Sequence, residues 1–174
     1  MRIAFAIVKL FPGGGLQRDC LALARLVSAR GAAVEILTAE RAAGDYADGL
    51  AVTELPVAAR TNHGRQAAFS AGIAAAARDF DAVVGFNKIA GLDLLYCADP
   101  SIAARMAGAP WLALLPRYRA FRTLEGAAFA PGARTRLLLL ARPQAEAYRA
   151  AWGTEAERIA VLPPTIASAR RQPE

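Results

Sequence analysis

Apolar and polar positions are grouped along this chain in blocks whose period switches repeatedly between that of a strand and that of a helix. Residues 2–8 form a short apolar run of the kind found in strands buried on both faces, and Pro12 with Gly13, Gly14 and Gly15 breaks it. Leu16, Cys20, Leu23, Ala24 and Val27 then recur at helical spacing, which predicts a helix to Arg30 with Gly31 as its stop. Further apolar runs predict strands over 34–38, 50–57, 81–86, 92–98, 135–141 and 158–162. The run of four leucines, 137–140, marks the sixth of these seven as buried on both faces. Helical patterns over 64–78, 101–107, 117–129 and 143–151 fall between them, and no internal repeat is visible.

Strands that alternate with helices pair in parallel through right-handed crossovers. The fold class expected is therefore α/β: a single doubly wound, Rossmann-like domain with a mainly parallel sheet covered on both faces. Ligands of such folds bind beyond the carboxyl ends of the strands. Four predicted loops fall there, at 9–19, 60–65, 87–91 and 98–101, and many of the polar residues of an otherwise apolar chain are concentrated in them.

Composition narrows the class. With 174 residues, 55% of them apolar and 21% charged, the chain has enough apolar material for one sizeable core and too much for disorder. No apolar run reaches the roughly 18 residues needed to span a bilayer, and the apolar start is short for a signal peptide and lacks a cleavage site after it. Cys20 and Cys97, far apart in apolar surroundings, read as reduced core residues, and with the single His63 they make no zinc site of ordinary spacing. Secreted, membrane-spanning and zinc-organised classes are thereby disfavoured.

Charge is unevenly placed. The net charge of +6 lies entirely within 101–142, where Arg105, Arg117, Arg119, Arg122, Arg134, Arg136 and Arg142 face only Glu125. Such a local excess predicts an anionic partner for one face. Within it, Pro110 to Pro116 is an apolar stretch tipped by Trp111. In the helix that follows, Tyr118, Phe121, Leu124 and Ala128 share one face, with Arg117, Arg119 and Arg122 beside them. An apolar wedge rimmed by arginine suits the headgroup region of an anionic membrane. The same pattern also describes an aromatic face packed on the sheet with solvated arginines. Pro110 and Pro116 argue against one uninterrupted surface helix. No nucleic-acid recognition motif accompanies the charge, so nucleic acid is not expected as a partner.

The rim loops carry the remaining candidates. In the first, Gly13, Gly14 and Gly15 permit close approach of a phosphate at a helix start, or simply a flexible turn. Glu40 follows the second strand as an acidic residue does in dinucleotide-binding folds, but Arg18 occupies the third glycine position of that fingerprint. No Gly-Lys-Ser/Thr completes a Walker motif. Thr61 or Asn62 is a natural N-cap, whereas His63 and Arg65 are placed to project into one cleft. Lys88, one of only two lysines, ends the fourth strand as an anion contact or as a solvated loop residue. Asp99, just past the fifth strand, is either a helix cap or a pocket acid. His63 has no acidic neighbour in sequence that would support a Ser-His-Asp triad.

Taken together these loops resemble the N-terminal domain of bacterial family 4 glycosyltransferases, GT-B enzymes built of two facing Rossmann-like halves. Within that family the likeness is to the lipopolysaccharide core glucosyltransferases that add the first glucose to inner-core heptose. It is carried by Phe-Pro-Gly-Gly-Gly-Leu-Gln-Arg-Asp over 11–19, Thr-Asn-His-Gly-Arg over 61–65 and Val-Gly-Phe-Asn-Lys over 84–88. Gly-Leu-Asp at 91–93, Arg-Tyr-Arg at 117–119 and the stretch 159–164 continue the same order and spacing across about residues 1–166.

The resemblance implies a retaining transfer of a hexose, glucose from UDP-glucose, to a phosphorylated glycan or glycolipid acceptor, with no metal or other cofactor. It implies that Gly14 and Gly15 approach the donor diphosphate and that Asp99 is the catalytic pocket acid. Asp19, Asn62, His63, Arg65, Asn87 and Lys88 match acceptor-cleft positions. Trp111, Arg117, Tyr118, Arg119, Phe121 and Arg122 match a region held against the anionic inner face of the cell membrane, so the location implied is cytoplasmic and peripheral. Residues 1–166 correspond to the acceptor-binding domain and 167–174 to a tail or the start of an interdomain linker. The family's C-terminal donor domain is absent from the sequence, so the 174 residues alone are expected to be inactive. Two other readings compete: a non-catalytic membrane- or polyanion-binding Rossmann-like module, and a nucleotide-cofactor oxidoreductase using Gly13, Gly15 and Glu40.

Overall fold

The protein is described here by a computed structural model covering residues 1–162. Its strands are β1 (Arg2–Leu10), β2 (Ala33–Arg41), β3 (Ala51–Glu54), β4 (Ala82–Gly85), β5 (Leu94–Cys97), β6 (Arg136–Leu139) and β7 (Ile159–Val161). The helices are α1 (Gly15–Ser28), α2 (Asn62–Ala76), α3 (Ile102–Gly108), α4 (Pro116–Phe129) and α5 (Arg142–Trp152), with a 3-10 turn at Pro110–Leu114 ahead of α4. All the expected strands and helices are present with shifted ends. β1 and β2 run on to Leu10 and Arg41, while the strand expected over 50–57 shrinks to Ala51–Glu54 ahead of Pro56, which has no N–H for a ladder. The proposed domain edge at 166, Pro163-Pro164 and the tail 167–174 lie outside the described residues.

The seven strands form one all-parallel sheet in the order β3-β2-β1-β4-β5-β6-β7. The order reverses between β1 and β4, which opens a crevice where their carboxyl ends diverge. Alternation along β1 serves two layers. Ala4 and Ala6 face one core with Phe69, Ile73, Phe129 and Tyr148. Ile3, Phe5 and Ile7 face the other, with Cys20, Leu21 and Phe86. Small residues on the first face let helix α2 lie close to the sheet, and bulky ones on the second fill the space under α1. Cys20 and Cys97 are buried and free, as their surroundings in sequence suggested.

Strict strand–helix alternation fails twice, at the short β2–β3 link and, with more consequence for the site, between β4 and β5. Between β4 and β5, residues 86–93 return across the sheet with no helix, and Ile89 and Leu92 are buried in the first core where a helix would otherwise pack. The returning segment is tied at its end by Asp93, whose Oδ2 accepts from the Val83 N–H at 2.8 Å. This connector lies so close to β4 that a Cβ on Gly85 would meet the Leu92 side chain, with Cδ2 at 2.8 Å and Cγ at 3.1 Å. Gly85→Ala is accordingly expected to destabilise the fold by about 1–3 kcal/mol through overpacking. Urea denaturation followed by circular dichroism measures it, and an unchanged midpoint would show that Leu92 repacks freely.

Candidate functional site

The connector decides where Lys88 goes. Because residues 86–93 pass through the layer instead of looping into solvent, the Lys88 side chain is carried inward and is only 7% exposed. Its Nζ donates to the Pro100 carbonyl at 2.6 Å and to Glu125 Oε2 at 2.7 Å, and lies 5.3 Å from the Tyr148 ring centroid. Neither the free anion contact nor the solvated lysine expected from sequence is therefore observed.

Glu125, fully buried on α4, accepts from five donors. They are Lys88, the Ser101 hydroxyl at 2.8 Å, the Ile102 and Ala103 N–H groups at 2.7 and 3.0 Å, and the Trp152 indole at 2.8 Å. Burial alone would raise the Glu125 carboxyl, but Lys88 and the two backbone N–H groups outweigh it and hold the group below the usual carboxylate range. The acid that seemed to oppose the arginines of 101–142 is spent inside the fold.

Above this pair the Asp99 backbone is pinned, while its carboxylate makes no hydrogen bond or ion pair among the described residues. The Asp99 carbonyl accepts from Tyr148 Oη and from Gln144 Nε2, both at 2.9 Å. The cap of α3 is Ser101, whose Oγ accepts from the Ala104 N–H at 3.1 Å, so the capping role considered for Asp99 is not the one observed. Asp99 lines a cavity of about 230 Å³ together with Gln66, Asn87, Lys88, Pro100, Ile102 and Phe121.

Two amides on that cavity have their orientation forced by chemistry. Asn87 Oδ1 takes the Val8 N–H at 2.8 Å, extending the β1–β4 ladder, so Asn87 Nδ2 is left as a donor. Gln66 Nε2 donates to the Lys88 carbonyl at 2.8 Å, which leaves Gln66 Oε1 as an acceptor. A wall offering a donor, an acceptor and a carboxylate matches hydroxyl groups, each of which both gives and takes a hydrogen bond.

A second cavity, of about 320 Å³, is lined by Thr61, Asn62, His63, Arg117 and Phe121. Phe121 borders both, so the two are neighbours along one rim. Thr61 caps α2, its Oγ accepting from the Gly64 N–H at 3.1 Å, and Asn62 is the first helical residue. The His63 ring meets Phe121 edge-on, with centroids 6.4 Å apart.

The other rim candidates are placed nearby but line neither cavity. Gly13 has φ +93°, Gly14 begins α1 without a side-chain cap, and Gly15 has open space where a Cβ would stand. Gln17 anchors this turn by donating to the Lys9 carbonyl at 3.0 Å. Asp19 Oδ2 takes the Tyr96 hydroxyl at 2.8 Å; burial first, and then Asp19, push that phenol up to about 12. Glu40 is engaged by Lys9 at 3.1 Å and Arg65 at 2.9 Å, and its carboxyl lies below its usual value mainly through the Lys9 hydrogen bond. That leaves Glu40 poorly placed to hold a ribose, and Arg65 paired instead of open.

The basic segment divides differently from the sequence reading. Tyr118 is buried, with the Arg105 and Arg117 guanidiniums 5.5 and 5.4 Å from its ring centroid, so it belongs to the core and not to a surface wedge. Phe121 is half-buried and turned to the cavities. Trp111 and Leu114 do stand out, 63% and 78% exposed, with Leu115 beside them. Arg119 is exposed, and Arg122 lies over Trp152 at 5.1 Å. Gln66, Gln144 and Tyr148 were not singled out from sequence, and Glu125 stood out there only as the lone acid among the arginines of 101–142. Only Gln66 had a local signal, being one turn beyond Asn62 on the same helix.

Comparison with known proteins points to a lipopolysaccharide glucosyltransferase. No family model matches the chain. Over 178 residues and its whole length it is 37% identical to the lipopolysaccharide glucosyltransferase WaaG of Escherichia coli (strain K12). It matches the crystal structure of WaaG, a glycosyltransferase involved in lipopolysaccharide biosynthesis, with a TM-score of 0.90 over 97% of the chain. The chain spans about half the length of these relatives, 47% and 46% respectively. In sequence and in fold the chain is thus a homologue of the N-terminal part of WaaG, and its all-parallel sheet is the Rossmann-like architecture of that GT-B glycosyltransferase.

Proposed function

We propose that this chain is the acceptor-binding half of a retaining glycosyltransferase of lipopolysaccharide core synthesis. It receives a hexose, glucose from UDP-glucose, on an inner-core heptose or similar glycan. The observation that carries the reading is the hydroxyl-matching wall of Asn87, Gln66 and Asp99 beside the strand-order reversal, in a homologue of a lipopolysaccharide glucosyltransferase. Asp99 is the catalytic carboxylate near the transferred sugar. Gly14 and Gly15, at the uncapped start of α1, offer backbone N–H groups to the departing diphosphate, where preorganised donors act most strongly. The reaction needs no metal in this reading. Asn62, His63 and Asn87 contact the acceptor; Asp19, Arg65 and Lys88 support the rim through Tyr96, Glu40 and Glu125.

The exposed Trp111 and Leu114, with the exposed Arg119 nearby in the chain, rest on the headgroups of an anionic inner membrane leaflet, making the enzyme peripheral on its cytoplasmic face. A donor half facing this groove completes the enzyme. Transfer of labelled glucose from UDP-glucose to heptose-terminated core glycolipid tests the proposal: an enzyme carrying both halves incorporates label. A polypeptide of residues 1–174 by itself does not, and calorimetry shows no tight UDP-glucose binding to it. Tight binding to residues 1–174 would overturn the division into acceptor and donor halves, and failure of the two-half enzyme to use any heptose acceptor would overturn the reaction.

A further inference from the structure

The second cavity has a charge character the first does not. Its lining holds the cationic Arg117 and the polar Thr61, Asn62 and His63, with no acidic side chain among them. Arg117 has no carboxylate partner among the described residues, and neither does Arg105, although both guanidiniums reach the ring of the buried Tyr118. Two like charges collected at one ring, with no ion-pair partner among the described residues, raise the local potential and favour an incoming anion. Tyr118 also restrains both side chains, so less of their freedom remains to be lost on binding. Asn62 adds an amide that makes no hydrogen bond among the described residues. Phe121 forms the apolar divide between this cavity and the one containing Asp99.

We infer that the cavity of Thr61, Asn62, His63, Arg117 and Phe121 is a subsite for a sugar-borne anionic oxygen group, a phosphate monoester or a carboxylate, on the part of the acceptor next to the reacting sugar. The inference rests on the acceptor-binding reading and adds to it. Arg117 becomes an acceptor-recognition residue, no longer a membrane contact. Phosphate and carboxylate each present two oxygens that a planar guanidinium engages with paired N–H donors.

Nitrogen-15 NMR of the 174-residue chain at constant ionic strength tests it. Mannose 6-phosphate, glucuronate and neutral methyl mannoside serve as probes, with phosphatidylglycerol vesicles as a separate arm. One or both anionic sugars are expected to shift the Asn62 and His63 amides saturably; which of them does so identifies the group. Methyl mannoside does not produce those shifts. Arg117→Ala weakens the saturable binding about tenfold, as loss of a charge-assisted hydrogen bond does. Arg134→Ala, which removes the same charge from an exposed position elsewhere in the segment, leaves it unchanged. Vesicles are expected to affect Trp111 and Leu114 and to spare Asn62 and His63.

The subsite is overturned if neither anion gives a saturable shift, if methyl mannoside shifts Asn62 and His63 equally, or if both arginine variants weaken binding alike. Vesicles that reproduce the anionic-sugar shifts at Asn62 and His63 would overturn it in favour of a headgroup site. Methyl mannoside shifts confined to Asn87 and Gln66, with no response to either anion, would sink the subsite while leaving the transferase reading intact. Retained dispersion of the amide spectrum shows that each variant is folded.

Discussion

Glu125→Ala is expected to destabilise the protein by about 3–5 kcal/mol, enough to lower the melting temperature by roughly 6–20 °C in a domain of this size. The loss has two parts. It strands the Lys88 ammonium, 2.7 Å from the missing carboxylate and shut away from water, and it orphans four other donors. A buried ion pair is often replaceable by apolar residues of similar size. Here it is not, because Ser101, Ile102, Ala103 and Trp152 would still lack an acceptor. Glu125→Gln keeps an acceptor but leaves the ammonium facing an amide. Adding Lys88→Met should therefore restore part of the lost stability. Calorimetric melting of the three variants reads this order, and a double variant no more stable than Glu125→Gln alone would show that the charge of Lys88 is not what the carboxylate holds. The pH dependence has a fixed sign. A carboxyl held below its usual value contributes fully above the ordinary glutamate range, near 4.3, and the contribution disappears as pH falls through the lowered value. Wild type should therefore lose stability toward acid more steeply than Glu125→Gln.

Asp99→Asn is expected to lower the transferase rate of the enzyme carrying both halves by about 10²–10⁴-fold, the range of a positioned acid or base. Its backbone is fixed by Tyr148 and Gln144, while its carboxylate has no ion-pair partner among the described residues and faces the first cavity. That combination, a held carbonyl under a free carboxylate, separates catalysis from stability. The exposed substitution should leave the melting temperature unchanged to within the effect of about 0.5 kcal/mol. Steady-state kinetics with saturating donor distinguishes the roles: a fall in kcat supports chemistry at Asp99. A rise in the acceptor KM with kcat intact would make it a binding residue only.

How much of this was legible beforehand follows from the range of each interaction. The strands read clearly because an all-parallel sheet buries both faces, so 2–8 and 135–141 are nearly unbroken apolar runs. The rim loops were legible because topology alone sends every strand end of a parallel sheet to one side. The inward turn of Lys88 was not, since its partner lies 37 residues away and no local pattern announces a connector that replaces a helix. Tyr118 misled for a different reason: an aromatic stripe flanked by arginines looks the same whether it meets a sheet or a bilayer. The exposed apolar group proved to be the proline-bounded turn before α4, where Trp111 and Leu114 have no layer to pack against. Arg117 was legible as a charge but not as a cavity wall, because the start of α2 that faces it lies over fifty residues earlier.

The swallowing of Glu125 also reaches beyond the fold. All seven arginines between 101 and 142 are exposed, and the one acid among them is electrically silent to the outside because Lys88 cancels it within. The flank therefore projects an uncompensated field whose reach is set by dissolved ions, with a Debye length of about 8 Å at physiological ionic strength and about 30 Å at 0.01 M. Its first encounters with polyanions should be fast and long-ranged in dilute buffer and contract to near-contact capture as salt is added.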